Sequence, residues 1–536
     1  SDLYIPSFIA THLGQSQYDI IADEIDIKVH STEAEGQPQT YAAAVAANPG
    51  DDDEDDSTAV QEDVDVEETI ILEKKSPSLW KTLLTGLPSP TSRFLSITTF
   101  LINLGLVLAA TDLIYRAKVQ YPSNDLSFAR IGYVSDSEAK LLVREPERAN
   151  LPIYVSVRSV DLHSGVSESG WRSYGPITNL SNDTDYTSAI SIPLPRTPGR
   201  AKYEYVTSNN HKGFITSAPK TGYTNEPDGK FTFLTSSCII PRFPYNPFKH
   251  PLSIPGLKHL ANVLPSLDPQ FMLFLGDFIY IDVPKRFGYD VEDYRRDYRH
   301  VYASPDWPAV SQNLSWIHVI DDHEITNDFD LNTEDHETDI YQTAIEPWNH
   351  YQGSVNPPVA RKSSIYNKGR TDATYFEFTQ GPATFFMMDT RRYRDLNDGL
   401  PANDTGKSML GNEQLQDLLA FLARPVPRGV RWKFVISSVP FTKNWKVNNL
   451  DTWAGFLDER QKILEAMWDV GLRGGVGVVV LSGDRHEFAS TAFPPPLGGK
   501  WPVSATVHEF STSPLSQFYL PIPSYRQTDD DDVLVK

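Results

Sequence analysis

FMLFLGDFIYID, residues 271–282, is the stretch on which the fold turns. Phe271 to Leu275 is an unbroken apolar run with no alternating polar positions, as in a strand buried on both faces. The run breaks at Gly276, so Asp277 is delivered at the strand's end, and Tyr280 can return to the same side three residues later. The same sentence is written again in FTFLTSSC (231–238), WIHVIDDHE (316–324), ATFFMMDTR (383–391), KFVISSV (433–439), GVVVLSGDRH (477–486) and SATVHEF (504–510). NEQLQDLLAFLA (412–423) and ERQKILEAMWDV (459–470) read as amphipathic helices between such strands. This is an α/β pattern, and in layered α/β proteins ligands bind at strand ends.

Working outward, the composition suits a large mixed globular chain. Of 536 residues, 40% are hydrophobic, with 10 Trp, 25 Tyr and 26 Phe, enough for more than one folded unit. The 40 prolines exclude a mainly helical solenoid or coiled coil, and the single cysteine excludes an internal disulfide. A formal net charge of −22 lacks the basic footprint of a general nucleic-acid binder, so no nucleic-acid surface is expected. The charge is uneven: residues 1–75 hold 19 carboxylates against Lys28, Lys74 and Lys75. With the run Asp51 to Asp56 at its centre, 1–92 is expected to be a largely disordered acidic region. Residues 519–536, with four aspartates at 529–532, are expected to be a solvated acidic tail.

Phe94 to Thr111 is 18 residues without a charge, the lower limit for spanning a bilayer core of about 30 Å. Extended past Asp112, it predicts a transmembrane helix over 93–115. A buried helix is the alternative, kept open by Asn103 and Asp112. Its place well inside the sequence is unlike a cleavable signal peptide. Lys74, Lys75, Lys81 and Arg93 precede it and Arg116, Lys118 and Arg130 follow, a slight N-inside bias. The expectation is a single-pass membrane protein with its catalytic domain luminal or extracellular. Between 120 and 226, short apolar segments separated by turn residues predict a small all-β sandwich.

Three strand ends carry candidate chemistry. Asp277 can bridge two cations, and the Tyr280 phenolate suits a hard, highly charged ion; alternatively the aspartate caps a turn. Asp484 and His486 leave their strand at i and i+2, side by side, able to serve neighbouring metals or simply to hydrogen-bond each other. Asp321-Asp322-His323-Glu324, with Asn327 close behind, follows a buried strand, which is costly unless cations or hydrogen bonds compensate. Asp322 and Asn327 offer ligand oxygens, while His323 can contact phosphate or protonate a leaving oxygen. Cys238 has three uses. A covalent phosphatase nucleophile needs arginine six residues on, where Pro244 stands; a core thiol is ordinary; a thiolate completes a site with Asp277, Tyr280 and His486.

SSC (236–238), GDFIYID (276–282), DDHE (321–324), MDTRRYR (388–394), GNEQ (411–414) and SGDRHE (482–487) follow one another across 230–515. In that order they resemble the PhoD-like alkaline phosphatase/phosphodiesterase family of calcineurin-like metallophosphoesterases. The resemblance implies a four-layer α/β/β/α sandwich over 228–518 with a binuclear or larger metal cluster at the sheet edges. It implies Fe³⁺ on Cys238, Asp277, Tyr280 and His486, and a second ion, Ca²⁺, sharing Asp277 and adding Asp484 with Asp322 or Asn327. Arg391 is then expected on the substrate phosphate, an ion pair with Asp389 being the alternative. Ser237 departs from the family, which usually has glycine there.

The implied activity is hydrolysis of phosphodiesters, with phosphomonoesters as a second class, by metal-activated water without a phosphoenzyme. The cations and Arg391 would stabilise phosphoryl charge and His323 would assist the leaving oxygen. Two alternatives stand beside it: a catalytically inactive membrane-anchored binding protein, and a phospholipid-cleaving phosphodiesterase suggested by the apolar segment. The loop carrying Arg361, Lys362 and Arg370 reads as a basic lid or a solvated surface loop.

Overall fold

The computed structural model describes residues 18–31, 62–74, 79–89, 92–224, 229–330, 335–358, 373–395, 399–518, 523–528 and 531–536. The acidic run 51–56 and the basic loop residues 361, 362 and 370 lie outside the described residues. The chain forms two compact units, 1–111 and 112–536.

In the first unit, Tyr18–Ser31 pairs antiparallel with Glu62–Lys74, placing Ile27 opposite Val66 and Val29 opposite Val64. This departs from the expected coil. The reason lies in the local pattern: Ile25, Ile27 and Val29 alternate with charged or polar residues, the period that a strand requires, and net charge alone does not reveal it.

Helix Arg93–Gln120 follows, five residues longer than the predicted span. It is long and apolar enough to cross a membrane, with mean hydropathy 1.9 over its most apolar window and 11% of that window buried. Phe100, Leu101 and Ile102, then Leu106, Val107 and Leu108, are all exposed. Successive residues step by about 100°, so the apolar surface covers the whole circumference, unlike the single stripe of a core helix. Asn103 is satisfied, donating 2.9 Å to the Gly86 carbonyl.

The second unit begins within this helix, where Asp112 pairs with Arg242 and accepts from the Tyr245 hydroxyl at 3.0 Å. Seven strands between Phe128 and Thr216 then form antiparallel sheets of three and four strands. Ile131, Leu141, Val155, Tyr205 and Ile215 belong to their shared core.

Beyond residue 230 lie two further sheets. One is parallel, ordered Ser315–His318, Phe271–Phe274, Leu234–Ile239 and Pro514–Ser516. The other has seven strands, with Ala383–Met387, Trp432–Ile436, Gly477–Ser482 and Val507–Ser511 running parallel at its centre. Phe271, Leu273 and Ile317 share one core with Phe385, Ile436 and Leu481 of the larger sheet. The intervening Met272, Phe274 and Trp316 pack with Leu257, Tyr298 and Trp348 from helices. Phe386, Val435 and Val480 do the same with Leu418, Ile463 and Met467. Both faces of each central strand are thus covered, which is why the sequence runs are continuously apolar. The fold is mixed α/β with several sheets.

The C-terminal aspartates do not all behave as a solvated tail. Asp532 is fully buried, 2.7 Å from the Arg460 guanidinium, and accepts from Thr442 Oγ1 and Lys443 N–H. Val533–Leu534 then adds a strand beside Ala489–Phe493. Arg460 lies buried at the start of helix Leu457–Arg473, and a buried cation requires a counter-charge. Asp532 supplies it.

Candidate metal centre

Parallel pairing brings several strand ends to one edge, where Cys238, Asp277, Asp322 and Asp484 emerge. The backbone there is unusual. Cys238 (φ 58°), Asp277 (φ 58°), Asp484 (φ 73°) and His486 (φ 55°) all adopt the left-handed region, which costs a non-glycine residue of the order of 1 kcal/mol or more and clusters at functional sites. Glu324 holds the turns in place, accepting from the backbone N–H of Asp277 (3.0 Å), Phe278 (2.5 Å) and Asp321 (2.8 Å). The glycines of the two Gly-Asp pairs have a physical reason. At Gly276 (φ 99°) a Cβ would lie 2.3 Å from Asp321 Cβ, and at Gly483 one would lie 2.9 Å from Ser237 Cβ.

One cluster joins Cys238, Asp277, Tyr280 and His486. The Cys238 thiol donates to Asp277 Oδ2 at 3.3 Å, the Tyr280 hydroxyl donates to the same oxygen at 3.0 Å, and His486 Nε2 lies 3.1 Å from that hydroxyl. Asp277 also belongs with Asp321, Asp322 and Asp484, and with Asp322 and His323. Within each of these groups, and within Cys238, Asp277 and His486, one ligand atom per residue lies within 4.8 Å of the others, close enough to hold a metal ion. Asp277 is the common member. Its second oxygen, Oδ1, is buried without a hydrogen-bond partner.

The electrostatics agree with a place for cations. Burial pushes Asp277 well above the usual carboxylate range, with Asp322 and Asp321 adding to the shift against the charge of His323. Burial likewise raises Asp484 to about 7, although Arg485 opposes it. Burial and Asp277 together push the Cys238 thiol up. Three buried carboxylates, the half-buried Asp484, a thiol, a phenol and an imidazole are a donor set that fits hard and borderline cations; without them, like charges crowd the site. The His323 pKa is raised: burial works against its charge, but Asp322, Asp277 and Asp282 outweigh that cost.

Arg391 is fully buried, with Nε 2.5 Å from Asp321 Oδ1 and Nη1 2.9 Å from Asp451, while its Nη2 has no hydrogen-bond partner. It does not pair with Asp389 either: Asp389 Oδ1 accepts the backbone N–H groups of Arg391 and Arg392, closing a turn. Asn327 is exposed, and its hydrogen bond toward the site runs from its backbone N–H to Asp282 Oδ2 at 2.7 Å.

Three neighbours of the cluster had no individual role in the sequence reading. Asp282 lies 2.7 Å from His323 Nδ1; its only signal was to end the quoted GDFIYID stretch. Asp321 is a fourth carboxylate beside Asp277. Arg485, between two candidate ligands, is 2.8 Å from Asp484 through Nε and keeps 14% of its side chain exposed.

A family model described as PhoD-like phosphatase matches residues 253–535. A solved structure of PhoD superposes with a TM-score of 0.55 at 18% identity, covering 72% of this chain and 76% of that one, which supports the fold. No curated protein matches the chain. The family match spans more than half of the sequence and contains the strand ends that carry Asp277, Asp322, Asp484 and His486, and on that ground this chain belongs to the PhoD-like phosphatase family.

Proposed function

We propose that the chain is a metal-dependent phosphoesterase that hydrolyses phosphodiesters, with phosphomonoesters as a second substrate class. The observation that carries this is Asp277, one buried carboxylate common to three ligand groups, the arrangement that a pair of neighbouring cations requires. In this reading Cys238, Asp277, Tyr280 and His486 hold Fe³⁺, and Asp277, Asp322 and Asp484 hold Ca²⁺. Bound there, the cations supply Lewis acidity that activates water and offsets phosphoryl charge.

The chain's own residues do the rest. His323, fixed at Nδ1 by Asp282, gives a proton to the leaving oxygen. Arg485, the arginine beside the cluster with surface to spare, binds a phosphoryl oxygen. Arg391 positions Asp321 and Asp322, lying 3.6 Å from the latter. The three core clusters favour the order helices, smaller sheet, larger sheet, helices, a four-layer α/β/β/α arrangement preceded by the all-β region. The apolar circumference of helix Arg93–Gln120 favours a single-pass anchor, and the flanking charges a luminal or extracellular catalytic unit.

The test compares bis(p-nitrophenyl) phosphate with p-nitrophenyl phosphate as substrates for the metal-loaded full chain and for Asp277→Asn. Diester hydrolysis that disappears in the variant supports the reading. A folded, metal-loaded chain that turns over neither ester refutes it.

A further inference from the structure

A cavity of about 340 Å³ lies beside the candidate metal centre. Its wall is mostly hydrocarbon: Leu113, Ile114, Ile240, Ile279, Val283 and Phe518 are among its lining residues. Three of its walls grow out of the metal centre. Ile240 comes two residues after Cys238, Ile279 adjoins Tyr280, which itself lines the cavity, and the ring of Phe518 stands edge-on to that of His486 at 5.2 Å. A further wall is helical. Leu113, Ile114 and Ala117 belong to helix Arg93–Gln120, whose preceding turns carry the exposed apolar residues.

Charged groups also line it. Lys118 and Lys285 lie near the Phe287 ring, Lys118 at 3.6 Å and Lys285 at 5.7 Å from its centroid, while Asp297 is 3.5 Å from Arg296. The lining thus holds an excess of cations beside hydrocarbon. An apolar slot that shares a residue with a phosphoester centre, carries lysines, and is walled by a helix long enough to cross a bilayer matches one class of molecule. That molecule bears a phosphodiester and an alkyl chain on the same skeleton.

Resting on the phosphoesterase reading above, we propose that the substrate is a membrane phospholipid and that this cavity receives its hydrocarbon chain. In the reaction, water adds to phosphorus and one P–O ester bond breaks. The departing alkoxide takes up a proton and the attacking water loses one, so the products are an alcohol and a phosphomonoester. No other reactant is required.

The test uses the full, metal-loaded chain in a fluorinated detergent, whose tails do not compete for a hydrocarbon slot. KM is measured for p-nitrophenyl alkyl phosphates from methyl to octyl, and then for phosphatidylglycerol in reconstituted vesicles. Each methylene entering the cavity should lower KM by up to about fourfold until the slot is full. Ala117→Trp, which fills the slot, should flatten the series; the octyl-to-methyl ratio is read within each protein, so a general loss of activity does not imitate the effect. Hydrolysis of the short esters with a flat KM series in the unmodified chain overturns this proposal and leaves the phosphoesterase reading standing. A falling series with intact vesicle lipid overturns the phospholipid assignment. Failure on every ester overturns both readings.

Discussion

Asp282 Oδ1 lies 2.7 Å from Nδ1 of His323, while the His323 ring packs against that of Tyr280 at 4.2 Å. The carboxylate fixes which ring nitrogen is engaged and the phenol ring fixes the imidazole plane, which in the proposed mechanism leaves Nε2 for the substrate. In that mechanism Asp282 acts as a positioning residue, and its removal has a specific signature. Asp282→Asn should lower kcat about 10- to 100-fold on an alkyl leaving group, yet much less on p-nitrophenolate, which departs without a proton. Comparing the two leaving groups in one variant checks this; an equal loss on both would assign Asp282 a merely structural role.

Metal content should follow the ligand groups. Asp277→Asn should lose both ions, measured by elemental analysis, and reduce kcat by about 10³-fold or more. Cys238→Ser should lose one ion preferentially. Chelation should lower the unfolding temperature of the parent chain, because cations bound only by the folded state stabilise it by mass action. A chelated chain that melts unchanged would mean that the buried carboxylates are compensated otherwise.

Gly276→Ala should separate the site from the fold. Its Cβ would meet Asp321 Cβ at 2.3 Å in a left-handed turn, so Asp321 must move. The cost should be about 1–3 kcal/mol. Circular dichroism should stay near that of the parent, while bound metal and turnover fall together.

Asp532→Ala should destabilise the catalytic unit by about 3–5 kcal/mol, since it strands the buried Arg460 guanidinium. Denaturant unfolding measures this, and Arg460→Met combined with Asp532→Ala should recover much of the loss. A loss that the double variant fails to repair would place the effect in the added strand Val533–Leu534 instead.

Glu459 gives a pH test away from the metal ligands. Burial raises its pKa to about 7 even though Ser408 and backbone N–H groups donate to it. The folded pKa is above the unfolded one, so its contribution is fully present below about pH 4.5 and is lost as pH rises through 7. Glu459→Gln should therefore reduce the fall in stability between pH 5 and 7.5 by roughly 1–3 kcal/mol. Urea midpoints of both proteins across that range decide it. An unchanged difference would mean that the hydrogen bonds to the carboxylate cancel the cost of burial.

What the sequence discloses here is the position of strand ends. Asp277, Asp484 and His486 follow uninterrupted apolar runs, and parallel pairing then leaves little choice about where they meet. Cys238 was legible as one of three uses, and the structure places its thiol 3.3 Å from Asp277. Arg391 was opaque for a different reason: its Nη1 is held by Asp451, 60 residues later in the chain, and no local pattern announces such a partner. The same holds for Asp532, whose burial depends on Arg460, 72 positions away. Charge counting misread it because an ion pair closed over long range has the same composition as a solvated run.

The left-handed turns at Cys238, Asp277, Asp484 and His486 also set a direction for evolutionary drift. Glycine or asparagine would sit in those turns more comfortably than the present residues. Once selection for catalysis is lifted, decay at these positions is therefore energetically downhill, and a descendant that abandons the reaction can become more stable as it does so. Loss of function in this lineage should begin with glycine or asparagine at these four turns, before the surrounding core shows any change.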